Sequence, residues 1–437
     1  MYEVSGKRVL VYGMQSNGIS AAFLAKEKGA EVFCVDDDEK VKISGFSFID
    51  KSDLSDSLSS FDLVIVSPSL SKYHEIFALC DRLSVPVVGE MEFGSSFLTS
   101  KIVAVTGTNG KTTCTTMIEK LLSIAGLRVK AMGNIGYPVS QVVLDKTPLD
   151  VAVIEVSSFQ LEHAPSFHPD VAVILNLAPD HLDRYDDYRD YINTKRKILD
   201  NLTEADSFVF NTDDGALRSF VKGCAAQCYP VGTRSKLCDP CVKGSFFTYE
   251  NHSVAHVKMC RARGEHNRFN MLVAMTVGKL FGVRIENMTK LVKEYSFLPN
   301  RIEYVTTING KNYYNDSKGT NVHACRSAID AMDGSVGLIM GGSDKNEDYC
   351  DFFEDLDEKV KYIAITGDNA AKIYNSACKM GYQEAYVFDD LAICVHFLSE
   401  KPVDNVLLSP CSASFDRYVN YAERGKKFKE IVYAVRV

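Results

Sequence analysis

Long apolar segments and an excess of positive charge are both missing from this sequence of 437 residues. No stretch approaches the roughly 18 consecutive apolar residues of a membrane-spanning helix. Lysine plus arginine number 49 and aspartate plus glutamate 57, so the net charge is −8 and gives no general attraction for nucleic acid or an anionic membrane. The first residues also lack the long apolar stretch and cleavage site of a signal peptide. We therefore expect a cytoplasmic protein that binds neither nucleic acid nor membrane.

A disulfide framework is not indicated either. The 13 cysteines are odd in number and scattered, which is typical of reduced thiols in a large intracellular chain. Four lie close in sequence: Cys224, Cys228, Cys238 and Cys241, the last two as a Cys-x-x-Cys pair. Zinc ligands often have this spacing, but incidental thiols in a surface hairpin are the favoured interpretation.

Short apolar runs alternate with helical patterns along the chain, and no repeat or low-complexity tract interrupts them. This alternation predicts βαβ units, mostly parallel sheets and an α/β fold class. Strands are predicted at 7–12, 31–35, 62–66, 101–106, 150–156, 171–176, 336–340, 362–366 and 405–409, and helices at 19–28, 112–125 and 269–281. Residues 224–260 predict a small antiparallel excursion. We expect three domains, at residues 1–97, 98–298 and 299–437.

The sharpest motif lies between the strand at 101–106 and the following helix. It consists of Gly107, Thr108, Asn109, Gly110, Lys111, Thr112 and Thr113. Glycines let successive backbone N–H groups face phosphate oxygens, the helix N-terminus adds partial positive charge, and the lysine and hydroxyl reach the phosphates and Mg²⁺. Val105 occupies the position of the first glycine in the standard motif, so this is a shortened phosphate loop. A chance match in a loop is the alternative, which the flanking strand and helix disfavour.

Further polar residues follow the next two strands. Glu155 ends the strand at 150–156, and His181 lies in the turn after the strand at 171–176. Because ligands gather beyond the carboxyl ends of parallel strands, these side chains should converge on the phosphate loop. Glu155 is then a candidate Mg²⁺ ligand, and His181 a ligand or substrate contact. Each alone would be a surface or capping residue, and Lys195 would lie on a solvated helix face.

The N-terminal strand is followed by a partial dinucleotide fingerprint. Gly13 and Gly18 fit its first and last glycines and Asp36 ends the next strand, but Gln15 stands at the second glycine position. A side chain there would crowd a pyrophosphate, so NAD binding is weakly indicated. A nucleotide-sugar or another anionic group at the helix N-terminus fits as well.

Three loops near the C-terminus combine lysines, hydroxyls and small residues. The first spans residues 315–321, after the strand-like residues 312–314, and the others span 341–345 and 409–416, each after a predicted strand. Each alone would be an ordinary turn. Together they predict an anion or carboxylate site for a second ligand, facing the phosphate loop across a domain cleft.

With these motifs, the whole chain resembles the Mur ligase family, and within it the branch that adds D-glutamate to UDP-N-acetylmuramoyl-L-alanine. The phosphate loop also occurs in folylpolyglutamate synthases and is not selective. The selective motifs are EVSSFQLE at 155–162, DHLDRY at 180–185, GEHNRFN at 264–270, LPNRIE at 298–303, NDSKGTN at 315–321 and the run at 409–425. The resemblance implies a Rossmann-like N-terminal domain for the UDP substrate, a central P-loop ATPase domain, and a Rossmann-like C-terminal domain for the amino acid.

The resemblance also implies a role for each matching residue. Lys111 and the loop amides would hold the ATP phosphates. Thr112 and Glu155 would bind one Mg²⁺ ion. His181 and Lys195, the latter carbamylated by CO₂, would bind a second Mg²⁺ ion. Asn267, Arg301 and Asp316 would contact adenine and ribose; Ser16, Asn134 and His181 the UDP substrate; Lys318, Thr320, Lys345, Ser414 and Tyr421 would surround D-glutamate. Lys111, Glu155, His181, Lys195 and Lys318 would be catalytic. The product would form through an acyl phosphate, with release of ADP and phosphate, and the enzyme would be a monomer.

The match departs from the family at three positions: Asn300 stands where histidine is usual, Tyr421 where phenylalanine is common, and Ser69 where glycine is usual. Three alternatives stay open from the sequence. They are a sister amino-acid ligase or folylpolyglutamate synthase, a non-catalytic nucleotide-binding regulator with the same fold, and an NAD-dependent dehydrogenase, which Gln15 disfavours.

Overall fold

The computed structural model describes residues 1–135, 137–180, 184–233, 238–260, 264–295, 299–344 and 349–435. The chain divides into two compact units, one of Met1–Met259 and Phe269–Lys293 and the other of Cys260–Arg268 and Glu294–Val437. Three large sheets and one small sheet confirm the α/β class. The three predicted domain limits stay a prediction. In the part of the chain described, no helix is long and apolar enough to cross a membrane.

A parallel five-stranded sheet opens the first unit. Its strands are β1 (Arg8–Tyr12), β2 (Glu31–Val35), β3 (Ser47–Phe48), β4 (Leu63–Val66) and β5 (Val87–Gly89), in the order β3-β2-β1-β4-β5. Its helices are α1 (Ser16–Glu27), α2 (Leu54–Ser57), α3 (Glu75–Leu83) and α4 (Glu90–Ser95). Alternate residues of β1 enter two separate apolar cores, one on each face of the sheet. Such two-sided burial explains why the strands are continuous apolar runs.

A six-stranded parallel sheet follows in the same unit. Its strands are β6 (Lys101–Thr106), β7 (Val129–Gly133), β8 (Val151–Glu155), β9 (Val171–Ile174), β10 (Ser207–Asn211) and β11 (Gln227–Val231), in the order β11-β10-β9-β6-β8-β7. Its helices are α5 (Lys111–Ile124), α6 (Val139–Leu144), α7 (Ser158–Glu162), α8 (Tyr188–Arg196) and α9 (Gly215–Phe220). Strand β6 lies between β8 and β9, so the loops after all three strands end side by side.

The predicted antiparallel excursion is confirmed only in its later part. Strands β12 (Cys241–Lys243), β13 (Phe246–Tyr249) and β14 (His252–His256) form an antiparallel sheet. Strand β11, which the sequence assigned to this excursion, instead pairs in parallel with β10 at the edge of the central sheet. Its short sequence, which includes a proline, suits an edge strand of either kind, so the sequence does not distinguish parallel from antiparallel pairing. Helices α10 (Glu265–Leu280) and α11 (Ile285–Glu294) follow.

The second unit contains a six-stranded sheet in the order β15-β16-β20-β17-β18-β19. The strands are β15 (Glu303–Ile308), β16 (Lys311–Asn315), β17 (Val336–Met340), β18 (Val360–Ile365), β19 (Ala385–Val387) and β20 (Asn405–Leu408). Its helices are α12 (Val322–Asp330), α13 (Cys350–Glu354), α14 (Ala370–Lys379), α15 (Leu391–Ser399) and α16 (Tyr421–Ala434). Among the described strands of this sheet, only β15 is antiparallel to its neighbour. Strand β20 lies between β16 and β17, which brings the loops after these three strands to one edge.

Candidate functional site

The phosphate loop is built as its sequence predicts, between β6 and α5. Gly107 has φ of +149° and Gly110 has φ of +82°, a region that side chains other than glycine rarely adopt. The amide of Asn109 donates to Asn176 Oδ1 at 2.9 Å, and Asn176 Nδ2 donates back to the Asn109 carbonyl at 2.9 Å. The turn is therefore held from the neighbouring strand end, with its last glycine leading directly into the N-terminus of α5.

Lys111 begins α5 and its side chain lies over the loop. Its Nζ donates to the carbonyl oxygens of Gly107 and Thr108, both at 2.8 Å. Thr108 is held in turn, because its Oγ1 lies 3.0 Å from the Tyr191 hydroxyl and accepts from the Ala178 amide at 3.0 Å. A full positive charge therefore sits beside the backbone that the motif predicts to receive phosphate oxygens.

Lys195 is the residue that the structure places most differently from its sequence pattern. Helix α8 buries it to 2% exposure, and its Nζ donates to the Gly107 carbonyl at 3.1 Å. The Nζ also lies 4.8 Å from the centre of the Tyr191 ring. Burial, reinforced by the nearby charge of Lys111, lowers the pKa of Lys195 well below its ordinary value, although Asp180 and Glu155 oppose the shift. The prediction from composition that Lys195 lies on a solvated helix face is therefore wrong.

Glu155 ends β8 as predicted and is 1% exposed. Asn134 Nδ2 donates to its Oε1 at 2.8 Å, and the Asn134 amide donates to its carbonyl at 2.9 Å. Gly133, which directly precedes Asn134, has φ of +95°. A Cβ at this position would lie 2.5 Å from the Glu155 carbonyl oxygen. Glu155, Asn134 and Lys195 are therefore brought together around the phosphate loop. His181, predicted to join them, lies outside the described residues.

The turn between β1 and α1 carries the partial dinucleotide fingerprint, and its own side chains and packing hold it in place. The Met14 amide donates to Asp36 Oδ2 at 2.5 Å, so this carboxylate holds the turn. Gly18 is required by packing, since a Cβ there would lie 1.9 Å from the Gly13 carbonyl. Ser16 is exposed at the first position of α1, and the helix begins three residues before the predicted start.

The three residues assigned to adenine and ribose, Asn267, Arg301 and Asp316, all belong to the second unit. Asp316 is buried, accepting from Ser409 Oγ at 2.7 Å and from the Ile302 amide at 3.2 Å. Burial raises the pKa of Asp316 to about 7, against the lowering effects of Ser409 and the positive charge of Arg301. The third residue, Asn267, is buried in α10.

The residues assigned to D-glutamate lie on the loops after β16 and β20 and at the start of α16. Lys318 Nζ is 4.8 Å from the centre of the Tyr421 ring, a cation–π contact. Thr320 is partly exposed, whereas Ser414 is buried. Lys345 lies outside the described residues.

Arg424 is the functional candidate that sequence reasoning missed. It is 3% exposed on α16, and its guanidinium donates to Ser317 Oγ at 2.9 Å and to the carbonyls of Ser317, Ser412 and Ala413 at 2.8, 2.9 and 3.1 Å. Burial lowers its pKa to about 10. One side chain therefore ties together the loops after β16 and β20, and the ligand site predicted there stays a prediction. A lone arginine in a helical run gives no sequence signal of this role.

The cysteine cluster shows no metal geometry. In the ranges that the structure covers, no group of three or more histidine, cysteine, aspartate or glutamate residues could hold a metal ion. None of the 13 cysteines, all of which lie in the described residues, forms a disulfide bond. Cys224 and Cys228 do lie together, since burial and the Cys224 thiol raise the pKa of Cys228 to about 11.

Comparison with known proteins gives a consistent result over the whole chain. Residues 105–278 match the model of the Mur ligase middle domain, and residues 300–411 that of the Mur ligase glutamate ligase domain. The chain is 36% identical to a UDP-N-acetylmuramoylalanine–D-glutamate ligase of Lachnoclostridium phytofermentans, with 99% of each chain covered. It is 34% identical to the enzyme of the same name from Caldanaerobacter subterraneus, covering 99% of this chain and 100% of the other.

Solved structures show the same fold at lower identity. The MurF ligase of Thermotoga maritima in complex with ADP superposes with a TM-score of 0.63 at 17% identity, covering 99% of this chain and 96% of the other. A pseudomurein peptide ligase type C from Methanothermus fervidus gives a TM-score of 0.60 at 17% identity, covering 98% and 100%. These likenesses establish the architecture.

Proposed function

This chain belongs to the Mur ligase family, and from that premise we propose that it joins D-glutamate to UDP-N-acetylmuramoyl-L-alanine in the synthesis of peptidoglycan precursors. ATP is consumed and ADP and phosphate are released. The observation that carries the proposal is the cluster at the end of the central sheet, where Lys111 and the buried side chains of Lys195 and Glu155 surround one phosphate loop. The full-length similarity to D-glutamate ligases supports the choice of amino acid.

The chemistry begins with an electrostatic problem. The L-alanine carboxylate must attack the γ-phosphate of ATP, and two anions repel each other. Lys111 and the amides of the phosphate loop hold the phosphates and offset their charge. The attack forms an acyl phosphate and releases ADP; the D-glutamate amine then attacks the acyl carbon, and phosphate leaves as the amide forms.

Mg²⁺ fits the oxygen donors present, since the buried carboxylate of Glu155 and the hydroxyl of Thr112 border the phosphate loop. When bound, the ion neutralises phosphate charge. We propose that Thr112 and Glu155 hold one ion, and that His181 and the modified Lys195 hold a second.

The environment of Lys195 supports its carbamylation. The lowered pKa of Lys195 increases the fraction present as the neutral amine, and only the neutral amine attacks CO₂. The nitrogen–carbon bond forms, a proton passes to water, and the side chain changes from a potential cation to an anionic oxygen donor. That change places a negative ligand beside Lys111 in a site that disfavours a second positive charge.

The remaining assignments extend the proposal to the other ligands. Ser16, Asn134 and His181 contact the UDP substrate; Asn267, Arg301 and Asp316 contact adenine and ribose; Lys318, Thr320, Lys345, Ser414 and Tyr421 contact D-glutamate. Arg424 positions the loops that carry several of these residues. We also propose that the enzyme is monomeric and cytoplasmic, where its nucleotide substrates are found.

The test is phosphate release from ATP and Mg²⁺ in the presence of UDP-N-acetylmuramoyl-L-alanine and a panel of D- and L-amino acids, with each substrate omitted in turn. We expect release only when the muramoyl substrate and D-glutamate are both present. Release with a different amino acid would make the protein a sister ligase. No release with any amino acid would favour a nucleotide-binding regulator with the same fold.

A further inference from the structure

Arg184 forms a largely buried, bidentate ion pair with Glu162 in the first unit. Its Nε donates to Glu162 Oε1 at 3.1 Å and its Nη2 to Glu162 Oε2 at 2.6 Å, and the side chains are only 11% and 4% exposed. The guanidinium carbon lies 4.0 Å from the centre of the Phe159 ring. Paired bonds to a carboxylate together with ring stacking fix the orientation of an arginine, and a lysine cannot reproduce this geometry.

The remaining donors of Arg184 reach the loop that follows β4 in the N-terminal sheet. Nη2 donates to the Leu70 carbonyl at 2.6 Å and Nη1 to the Ser69 carbonyl at 3.5 Å. This loop adjoins the turn that precedes α1, because a Cβ on Gly13 would lie 2.8 Å from Ser67 Cβ. Arg184 therefore connects the central sheet to the carboxyl-end loops of the N-terminal sheet.

Two neighbouring residues of the same loop reinforce the connection. Lys72 Nζ donates to Asp190 Oδ2 at 2.5 Å and to Asp186 Oδ2 at 3.5 Å. The hydroxyl of Tyr73 also donates to Asp186. Asp190 lies on α8, the helix that carries Lys195. We call Arg184, Lys72 and Tyr73, with their partners, the loop clamp.

Contacts continue from the loop clamp to the phosphate loop. The Tyr185 hydroxyl donates to Glu162 Oε1 at 2.8 Å, and its ring centre lies 5.4 Å from that of Tyr191. Tyr191 in turn touches Thr108 of the phosphate loop, through oxygens 3.0 Å apart. An unbroken set of side-chain contacts thus joins the loop at residues 67–73 to the site of phosphate chemistry.

We propose that Arg184 is a positioning residue, which holds the loop at 67–73 at a fixed distance from the phosphate loop. The inference rests on the proposed function, in which the nucleotide part of the acceptor binds at the N-terminal sheet and its carboxylate attacks a phosphate held by the central sheet. Reacting atoms must come within about 3.5 Å, and an error of about 1 Å can cost a hundredfold in rate. Two ligand sites on separate sheets therefore need a rigid connection between the sheets.

The test compares Arg184→Lys with a matched control, Arg189→Lys, which changes an exposed arginine nearby. In Arg184→Lys we expect kcat/KM for the muramoyl substrate to fall at least tenfold, while the Kd for ADP, measured by calorimetry, changes less than twofold. Arg189→Lys should change neither quantity. An Arg184→Lys enzyme with parental kcat/KM would overturn the proposal, and so would an equal loss of ADP affinity, since that indicates general damage.

Hydrogen exchange of the ligand-free protein tests the loop clamp without relying on turnover. Amides at 69–73 should exchange faster in Arg184→Lys, whereas those at 107–111 should not. Unchanged exchange at 69–73 would refute the loop clamp even if activity fell. If the parent enzyme shows no turnover, the proposed function fails, and the exchange result still decides whether Arg184 holds the loop.

A second variant covers the case in which Arg184→Lys does not fold. Tyr73→Phe removes one hydroxyl from an exposed side chain and leaves the buried pair intact. It should raise the exchange rate at 69–73 above that of the parent and leave exchange at 107–111 unchanged. Parental exchange at 69–73 in this variant would contradict the loop clamp.

Discussion

Glu90→Gln should make the protein more stable at neutral and alkaline pH. Glu90 begins α4, is 1% exposed, and accepts from the Ser140 amide through Oε1 at 2.7 Å. Burial raises the pKa of this carboxyl from 4.5 to about 7, although hydrogen bonds from Ser140 oppose the rise. Above that pH the folded protein must therefore hold a carboxylate in a buried position.

The size of the effect follows from proton linkage. Between pH 4.5 and about 7 the folded state keeps a proton that the unfolded state releases, so stability falls as pH rises through this window. At about 1.4 kcal/mol per pKa unit, the shift costs roughly 3 kcal/mol above pH 7. Glutamine keeps the acceptor for Ser140 and cannot ionise. The variant should thus match the parent near pH 4.5 and exceed its free energy of unfolding by roughly 3 kcal/mol at about pH 8.

The assay is urea unfolding followed by far-UV circular dichroism at several pH values, with Glu39→Gln as a control at an exposed position. Because all other groups titrate in both proteins, the difference between variant and parent isolates Glu90. The control should show only a small difference from the parent. A difference for Glu90→Gln that stays constant from about pH 5 to about pH 8 would refute the reasoning.

Three further predictions concern two lysines of the site and one glycine of the N-terminal turn. Lys111→Ala should abolish phosphate release, because the charge beside the phosphate loop is lost; turnover within tenfold of the parent would contradict its role. Lys195→Ala should be inactive and partly rescued by short carboxylates, which supply the missing oxygen donor; a fully active variant would exclude the carbamate. Gly18→Ala should lower the free energy of unfolding in urea by roughly 2 kcal/mol or more, since its Cβ would lie 1.9 Å from the Gly13 carbonyl. If this variant had the same free energy of unfolding as the parent, α1 would be able to shift without destabilising the protein.

Local sequence was sufficient for the parts of the site that are local in the chain. The phosphate loop was predicted from a strand, two glycines and a helix that are consecutive, and its backbone follows that prediction. The end of β8 at Glu155 was predicted for the same reason, because an apolar run followed by a charged residue indicates where a buried strand ends. Strands β7 and β10 were not predicted, since their runs are shorter or more mixed in polarity.

The sequence by itself thus determined the α/β class, the phosphate loop and the approximate positions of the nine strands that it predicted, because periodicity and glycine chemistry act over a few consecutive residues. Only the tertiary structure decided which polar side chains are buried. Lys195 and Arg424 belong to helices whose sequences are typical of solvated surfaces, yet they are 2% and 3% exposed. Their burial depends on carbonyl oxygens from loops that are distant in the chain, at Gly107 for Lys195 and at Ser317 for Arg424. A charge can be buried only where such partners converge, and convergence is set by how the strands pair rather than by any local pattern.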